Sequence, residues 1–280
     1  MINNNIKEVF KIINKKLEKE VCDYYLSHKR ITTTEISKKF NISPNFIKII
    51  LMHNDIDFCF YRSHKPINNI KRDFFTNIET EKQAYWLGFI LADGYIDNRG
   101  SLGIELEEKD YNHLIKFKKD LEIKNDIHVY NKNSTFGKQT NCRVCVANYY
   151  VLYDLWYRWN IDLNKSNTGK IPNLKNENLY RHLIRGYFDG NGSFTIKENK
   201  STHEIVCKEI GICGTKEILS FIENISGFKW NWSKRRDNDT NNFQIAIGRR
   251  WDCYNFLEWL YKNSNICLDR KYENFKNITK

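Results

Sequence analysis

The chain has 280 residues, 41% of them hydrophobic and 14% aromatic, and a formal net charge of +11. That balance excludes a disordered chain and suits one large or two to three small globular domains. No stretch approaches the roughly 20 apolar residues of a membrane span, and Met1-Ile-Asn-Asn-Asn5 lacks the pattern of a secretory leader, so the expected setting is intracellular: cytoplasm, nucleoid or organelle. The excess of Lys and Arg favours a polyanionic partner, with simple solubility as the other reading.

Residues 1–64 read as helical. Val9, Ile12, Ile13, Leu17, Val21, Tyr24 and Tyr25 recur at three- and four-residue steps. A short helix over Thr32–Phe40, a turn at Asn41-Ile-Ser43 and a second helix from Pro44 to Met52 follow, with Ser43 placed to cap and Pro44 at the first helical position. This is a helix-turn-helix-like pattern, which would offer Asn45, Lys48 and His53 to a DNA groove. A plain three-helix packing module is the alternative. Residues 65–81, with Lys65-Pro66 and Lys71-Arg72, form a basic linker that either follows a phosphate backbone or stays solvated.

From residue 82 the pattern alternates between helix and strand, and does so twice. The first pass has helices near 82–93, 110–122 and 148–160, with strands near 101–107, 127–132 and 142–147. The second has helices near 178–190, 215–226 and 250–263, with strands near 193–198, 205–213, 229–236 and 242–248. The shared order points to a pseudo-symmetric pair, 82–172 and 173–280. Polar residues alternate with apolar ones in the strands, so one face of each sheet is expected to be buried and the other to carry hydrogen-bonding side chains.

Both passes open on a similar segment, Trp86-Leu-Gly-Phe-Ile-Leu-Ala-Asp-Gly94 and Ile184-Arg-Gly-Tyr-Phe-Asp-Gly-Asn-Gly192. Small residues along one stripe let two such helices pack backbone to backbone. Asp93 and Asn191 would then project toward one point, where a carboxylate can hold a divalent metal against a two-stranded polyanion.

The longer stretches Ala84-Tyr-Trp-Leu-Gly-Phe-Ile-Leu-Ala-Asp-Gly-Tyr95 and Leu183-Ile-Arg-Gly-Tyr-Phe-Asp-Gly-Asn-Gly-Ser-Phe194 closely resemble the two signature helices of LAGLIDADG homing endonucleases, over about residues 74–278. The resemblance implies an α+β, pseudo-two-fold, duplicated αββαββα fold with an antiparallel saddle for the DNA major groove, here preceded by a small all-α domain. It implies a monomer whose helix-terminal acids hold Mg²⁺ or Mn²⁺ between scissile phosphates of double-stranded DNA. Asp93 takes that place in the first helix, and Asn191, an amide, takes it in the second; Ala92 beside Asp93 is given no metal role. An Asn oxygen coordinates a hard cation without neutralising it, so slow or strand-biased cleavage is expected. Asp189 is expected to point into the helix-end packing rather than replace the missing acid. Asn164-Lys-Ser166 and Asp269-Arg-Lys-Tyr272 resemble the family's solvent-polarising lysine positions, making Lys165 and Lys271 catalytic candidates, with Lys170 and Arg270 as rivals.

Candidate DNA contacts on or beside strands are Arg143, Lys197, Lys234, Arg236, Gln244 and Arg249, each of which also fits a solvated strand face. Trp156, Trp159, Trp251 and Trp259 fit core packing better than base stacking, and Cys142-x-x-Cys145 lacks the second pair of a zinc site. The function expected is a metal-dependent, site-specific DNA endonuclease, intron-encoded or free-standing rather than an intein. A non-cleaving DNA-binding regulator or an RNA-splicing maturase on the same fold is the alternative.

Overall fold

The computed structural model describes residues 15–28, 31–54, 56, 70–96, 101–134, 137–161, 165–198, 200–235 and 241–278. Val9, Ile12, Ile13, Lys65, Pro66 and Arg236 lie outside the described residues, as does the side chain of Asn45. No helix among the described residues is long and apolar enough to cross a membrane.

Three helices come first: α1 (Lys15–Ser27), α2 (Thr33–Phe40) and α3 (Pro44–His53). The entry to α2 is a capping box, in which Thr32 Oγ1 accepts from the Glu35 amide at 3.2 Å and Glu35 Oε2 accepts from the Thr32 amide at 2.8 Å. Ser43 does cap α3, its hydroxyl accepting from the Phe46 amide at 3.4 Å. Val21, Ile36, Ile42, Ile47, Ile50 and Leu51 form a small core between the three helices.

The second helix of the pair has a further face in use. Ile49 joins the main core of the molecule, Phe46 packs on Trp156 at 4.1 Å and His53 stacks on Tyr153 at 3.8 Å. Lys48 is half-buried, and burial holds its ammonium below the usual lysine range. Helix α3 therefore forms a seam between the helical unit and the first half, since burying apolar surface on two of its faces is favourable, while His53 at its end is exposed. The linker differs from expectation in the same way. Ile70, Phe74, Phe75 and Ile78 are buried in the main core, and Arg72 lies over the Tyr150 ring at 5.1 Å.

Each half then unfolds as foreseen, with additions. The first half runs α4 (Glu81–Asp93), β1 (Gly94–Ile96), β2 (Leu102–Glu107), α5 (Tyr111–Asp120), β3 (His128–Ser134), β4 (Gly137–Val146), α6 (Tyr149–Tyr153) and the short α7 (Lys165–Thr168). Helix α6 widens into a π turn over Asp154–Arg158 where one continuous helix was expected. The second half runs α8 (Tyr180–Asn191), β5 (Gly192–Glu198), β6 (Ile205–Gly214), α9 (Lys216–Ser226), β7 (Asn231–Lys234), β8 (Phe243–Ile247), α10 (Arg250–Tyr261) and α11 (Asp269–Lys276). Strand β1 and helices α7 and α11 were not foreseen.

The two sheets are antiparallel and have the same order, β1-β2-β4-β3 and β5-β6-β8-β7. Cys142, Val144 and Val146 of β4, and Ile245 and Ile247 of β8, turn inward to the helices. The alternate residues form an outer face in each half.

Candidate active site at the helix pair

Helices α4 and α8 cross at two glycines. A Cβ on Gly88 would run into the Leu183 carbonyl, and one on Gly186 into the Tyr85 carbonyl, so only hydrogen at both positions allows this approach. The contact carries on to the helix ends, where a Cβ on Gly190 would lie 3.2 Å from the Asp93 carboxyl carbon. The paired glycines thus bring Asp93 against the end of α8, one residue before Asn191, but the two side chains do not converge on the single point expected.

The two terminal residues open onto different cavities. Asp93 lines one of about 190 Å³ together with Asp110, Asp189, Arg270 and Lys271. Its carboxylate has no hydrogen-bond or ion-pair partner among the described residues. Burial raises its pKa, while the nearby ammonium groups of Lys165 and Lys271 pull it back down. The other two acids are already engaged. Asp110 is held by Arg270, with Nε to Oδ1 at 3.2 Å and an Nη2 contact to Oδ2 at 3.0 Å. Asp189 accepts from the Tyr85 hydroxyl at 2.7 Å, the Tyr261 hydroxyl at 2.6 Å and the Leu268 amide at 2.7 Å, so it points into the packing as expected.

Asn191 lines a cavity of about 150 Å³ whose other walls include Lys165, Tyr187, Thr215, Arg235 and Asn242, with no carboxylate among the described residues. The registers Gly94↔Ile104 and Gly192↔Ile212 are equivalent, so equal steps along the two halves match Asp110 with Ile218. Two of the first cavity's three acids, Asp93 and Asp110, therefore have uncharged counterparts, Asn191 and Ile218. Sequence reading saw the first of these replacements and missed the second, because nothing local marks Asp110 as a cavity residue.

The candidate lysines are placed symmetrically but bonded inward. Lys271 donates to the carbonyls of Phe188, Asp189 and Gly192 at 2.6, 2.8 and 2.5 Å, which uses all three of its N–H bonds. Burial pushes its ammonium down to about 8. Lys165 donates to the carbonyls of Leu91 and Ala92 at 2.8 and 2.5 Å. Each lysine thus caps the C-terminal end of its own half's signature helix, where cationic charge is favoured. They flank Asp93 as a source of positive potential, while the donors expected to face a scissile phosphate point to backbone. Lys170 is exposed, and Arg270 reaches the Asp93 cavity.

The divalent ion that the resemblance implies can be tested against these donors. Among the described residues no three His, Cys, Asp or Glu side chains could hold a metal between them. One unpartnered carboxylate remains, which suits Mg²⁺: it takes one or two carboxylates and completes its shell with waters and substrate phosphates. The residues fit such an ion at Asp93, and fit it poorly at Asn191.

Arg143 is exposed on the outer face of β4, opposite Glu105 and His128, and its guanidinium lies 5.2 Å from the Tyr130 ring. Lys197 is on the outer face of β5, opposite Val206, and Gln244 on that of β8, opposite Cys213 and Ser233. Lys234 is not on that face. It pairs with Phe243 two residues from the Trp232↔Ile245 pair, which puts it on the helix side of the sheet. Arg249 lies beyond β8 as the residue before α10. Cys142 faces inward while Cys145 faces out, so the two cannot chelate one ion. Trp156 and Trp159 pack as expected, whereas Trp251 is 57% exposed.

Solved structures similar to this chain include the LAGLIDADG homing endonuclease I-GzeII in complex with its DNA target, at 13% identity and a TM-score of 0.46, covering 69% of this chain and 87% of that one. The homing endonuclease I-WcaI bound to its DNA recognition sequence shares 18% identity at a TM-score of 0.48, with 72% and 91% covered. Full-length DUF199/WhiA from Thermatoga maritima shares 16% at a TM-score of 0.44, and the chain spans 63% of its length and 73% of its own. No family model matches the chain, and no curated protein matches it.

Proposed function

We propose that the chain is a site-specific DNA endonuclease. It would lay the outer faces of its two sheets along a long duplex as a monomer, and hydrolyse phosphodiester bonds at the helix pair with Mg²⁺ or Mn²⁺. One observation carries the reading: Asp93, closing the first of two motif helices that cross at glycines, is a half-buried carboxylate at a helix C-terminus with no partner among the described residues. The helix dipole disfavours an anion there, so the position has a use that stability does not supply. A bound cation would offset charge developing on phosphoryl oxygens and activate water. Lys165 and Lys271 favour the ionised form of Asp93, and Arg143, Lys197 and Gln244 face outward for phosphate and base contacts. With Asn191 and Ile218 standing where the first cavity has Asp93 and Asp110, cleavage would favour the strand that reaches Asp93.

The test is selection from a duplex library with Mg²⁺ or Mn²⁺, for the parent and for Asp93→Asn. The expected result is nicked or cut product from the parent and binding without product from the variant. Equal product from both removes Asp93 from the chemistry. A gel shift without nicking in either metal favours the second reading, a non-cleaving regulator, which the Asn191 cavity supports by presenting Lys165 and Arg235 but no carboxylate among the described residues; binding to RNA alone favours a maturase.

A further inference from the structure

Helix α8 carries two buried charges that α4 lacks. Arg185 and Asp189, about one turn apart, stand where α4 has Leu87 and Leu91, and they are 0% and 2% exposed. Arg185 donates from Nε to the Ile266 carbonyl at 2.9 Å, from Nη1 to the Leu260 carbonyl at 3.1 Å and from Nη2 to Glu81 Oε1 at 2.5 Å. Glu81 accepts in turn from the backbone and side-chain amides of Asn265, both at 2.7 Å. Asp189 takes the Leu268 amide and the Tyr261 hydroxyl. Most of these partners lie on one stretch, Leu260 to Leu268, which runs straight into α11.

What α11 does next gives the arrangement a purpose. Its first residues cross to the other half, where Asp269 pairs with Lys116 at 2.5 Å and Arg270 holds Asp110. Lys271 then turns back to cap α8. Burying a charge is costly, and a Leu pair at the same places packs α4 without that cost. Hydrogen bonds to backbone fix distance and direction, which apolar packing does not.

We propose that Asp189, with Arg185 behind it, is a positioning residue for the Asp93 half-site: it anchors Leu268 so that Arg270 and Lys271 are held in place beside Asp93. The proposal rests on reading the Asp93 cavity as the hydrolytic half-site. Leu87 and Leu91 offer no polar side-chain atom for an equivalent anchor in the first half, so only one half-site is set in this way.

Asp189→Asn keeps the shape and removes one acceptor oxygen, and Tyr261→Phe removes one donor without touching the helix pair. Amide exchange at Leu268, DNA affinity and the cleavage rate at saturating DNA would be measured for both. Asp189→Asn should speed Leu268 exchange and slow the saturated rate by about tenfold or more at unchanged affinity, with a smaller effect in the same direction for Tyr261→Phe. Unchanged Leu268 exchange, or faster exchange with the full cleavage rate retained, overturns the proposal. If the parent binds duplex but never cuts, the nuclease reading fails, and unchanged exchange at Leu268 still refutes the anchor while faster exchange upholds it.

Discussion

Helices α4 and α8 are alike in backbone and unlike in chemistry. Both cross at a glycine and both end in a short polar residue before another glycine, yet α4 is apolar where α8 carries Arg185 and Asp189, and it ends in an acid where α8 ends in an amide. The difference teaches that the crossing constrains only the residues in the seam. Outside it each helix is free to serve its own cavity: among the described residues, one open carboxylate beside two cations on the Asp93 side and no carboxylate on the Asn191 side.

The seam itself is the place to break the comparison. Gly186→Val would drive a side chain into the Tyr85 carbonyl, and because backbone cannot step aside as a side chain can, the two halves must separate. A loss of about 3 kcal/mol or more is expected in urea unfolding. Stability within about 1 kcal/mol of the parent would show that the crossing is not the constraint.

A second difference is titratable. His113 is 2% exposed, and burial with the nearby Lys116 and Lys271 charges pushes it down to about 3; His182 is pushed down to about 4, mainly by burial. Both are neutral in the fold, while in the unfolded chain they take a proton below about 6.5. Their contribution is therefore complete above that pH and is lost as pH falls toward 4 and then 3, at up to about 1.4 kcal/mol per pH unit for each. His113→Phe, matching Phe221 at the corresponding step of α9, should flatten the slope of stability between pH 6 and pH 4. An unchanged slope would mean that His113 does not carry it.

The smallest effects belong to the outer faces. Lys197→Ala should weaken binding evenly across sequences and reduce the salt slope by about 1, whereas Arg143→Ala should relax preference at one base pair. Binding titrations on a set of single-base target variants separate the two. Equal losses at every target for Arg143→Ala would make it a phosphate contact.

Much of this was legible in the residues. The internal Gly of each motif and the repeated helix and strand order are local patterns, and the structure assembles them as read; Asp93 and Asn191 close the paired helices but open onto separate cavities rather than one point. The inward turn of Asp189 followed from its place two residues before the helix-terminal Asn191. What was hidden depends on distant partners. Asp110 becomes a cavity acid only because Arg270, from the other half, meets it. Lys271, a candidate solvent-polarising lysine by its place in the motif, is 5% exposed under α8. Lys234 changed faces because the register of a short edge strand is set by its neighbour. The helix-turn-helix-like segment had the right turn and cap, but periodicity could not show that α3 has apolar neighbours on two sides.

The claim that the two helix ends form unlike half-sites is tested most directly by strand-resolved cleavage. A selected duplex, labelled differently on each strand, would be digested with Mg²⁺ by the parent, Asp93→Asn and Asn191→Asp. The account predicts that the parent cuts one strand faster, that Asp93→Asn abolishes that cut, and that Asn191→Asp speeds only the other strand. Equal cutting of both strands by the parent, or survival of the fast cut without Asp93, would contradict it.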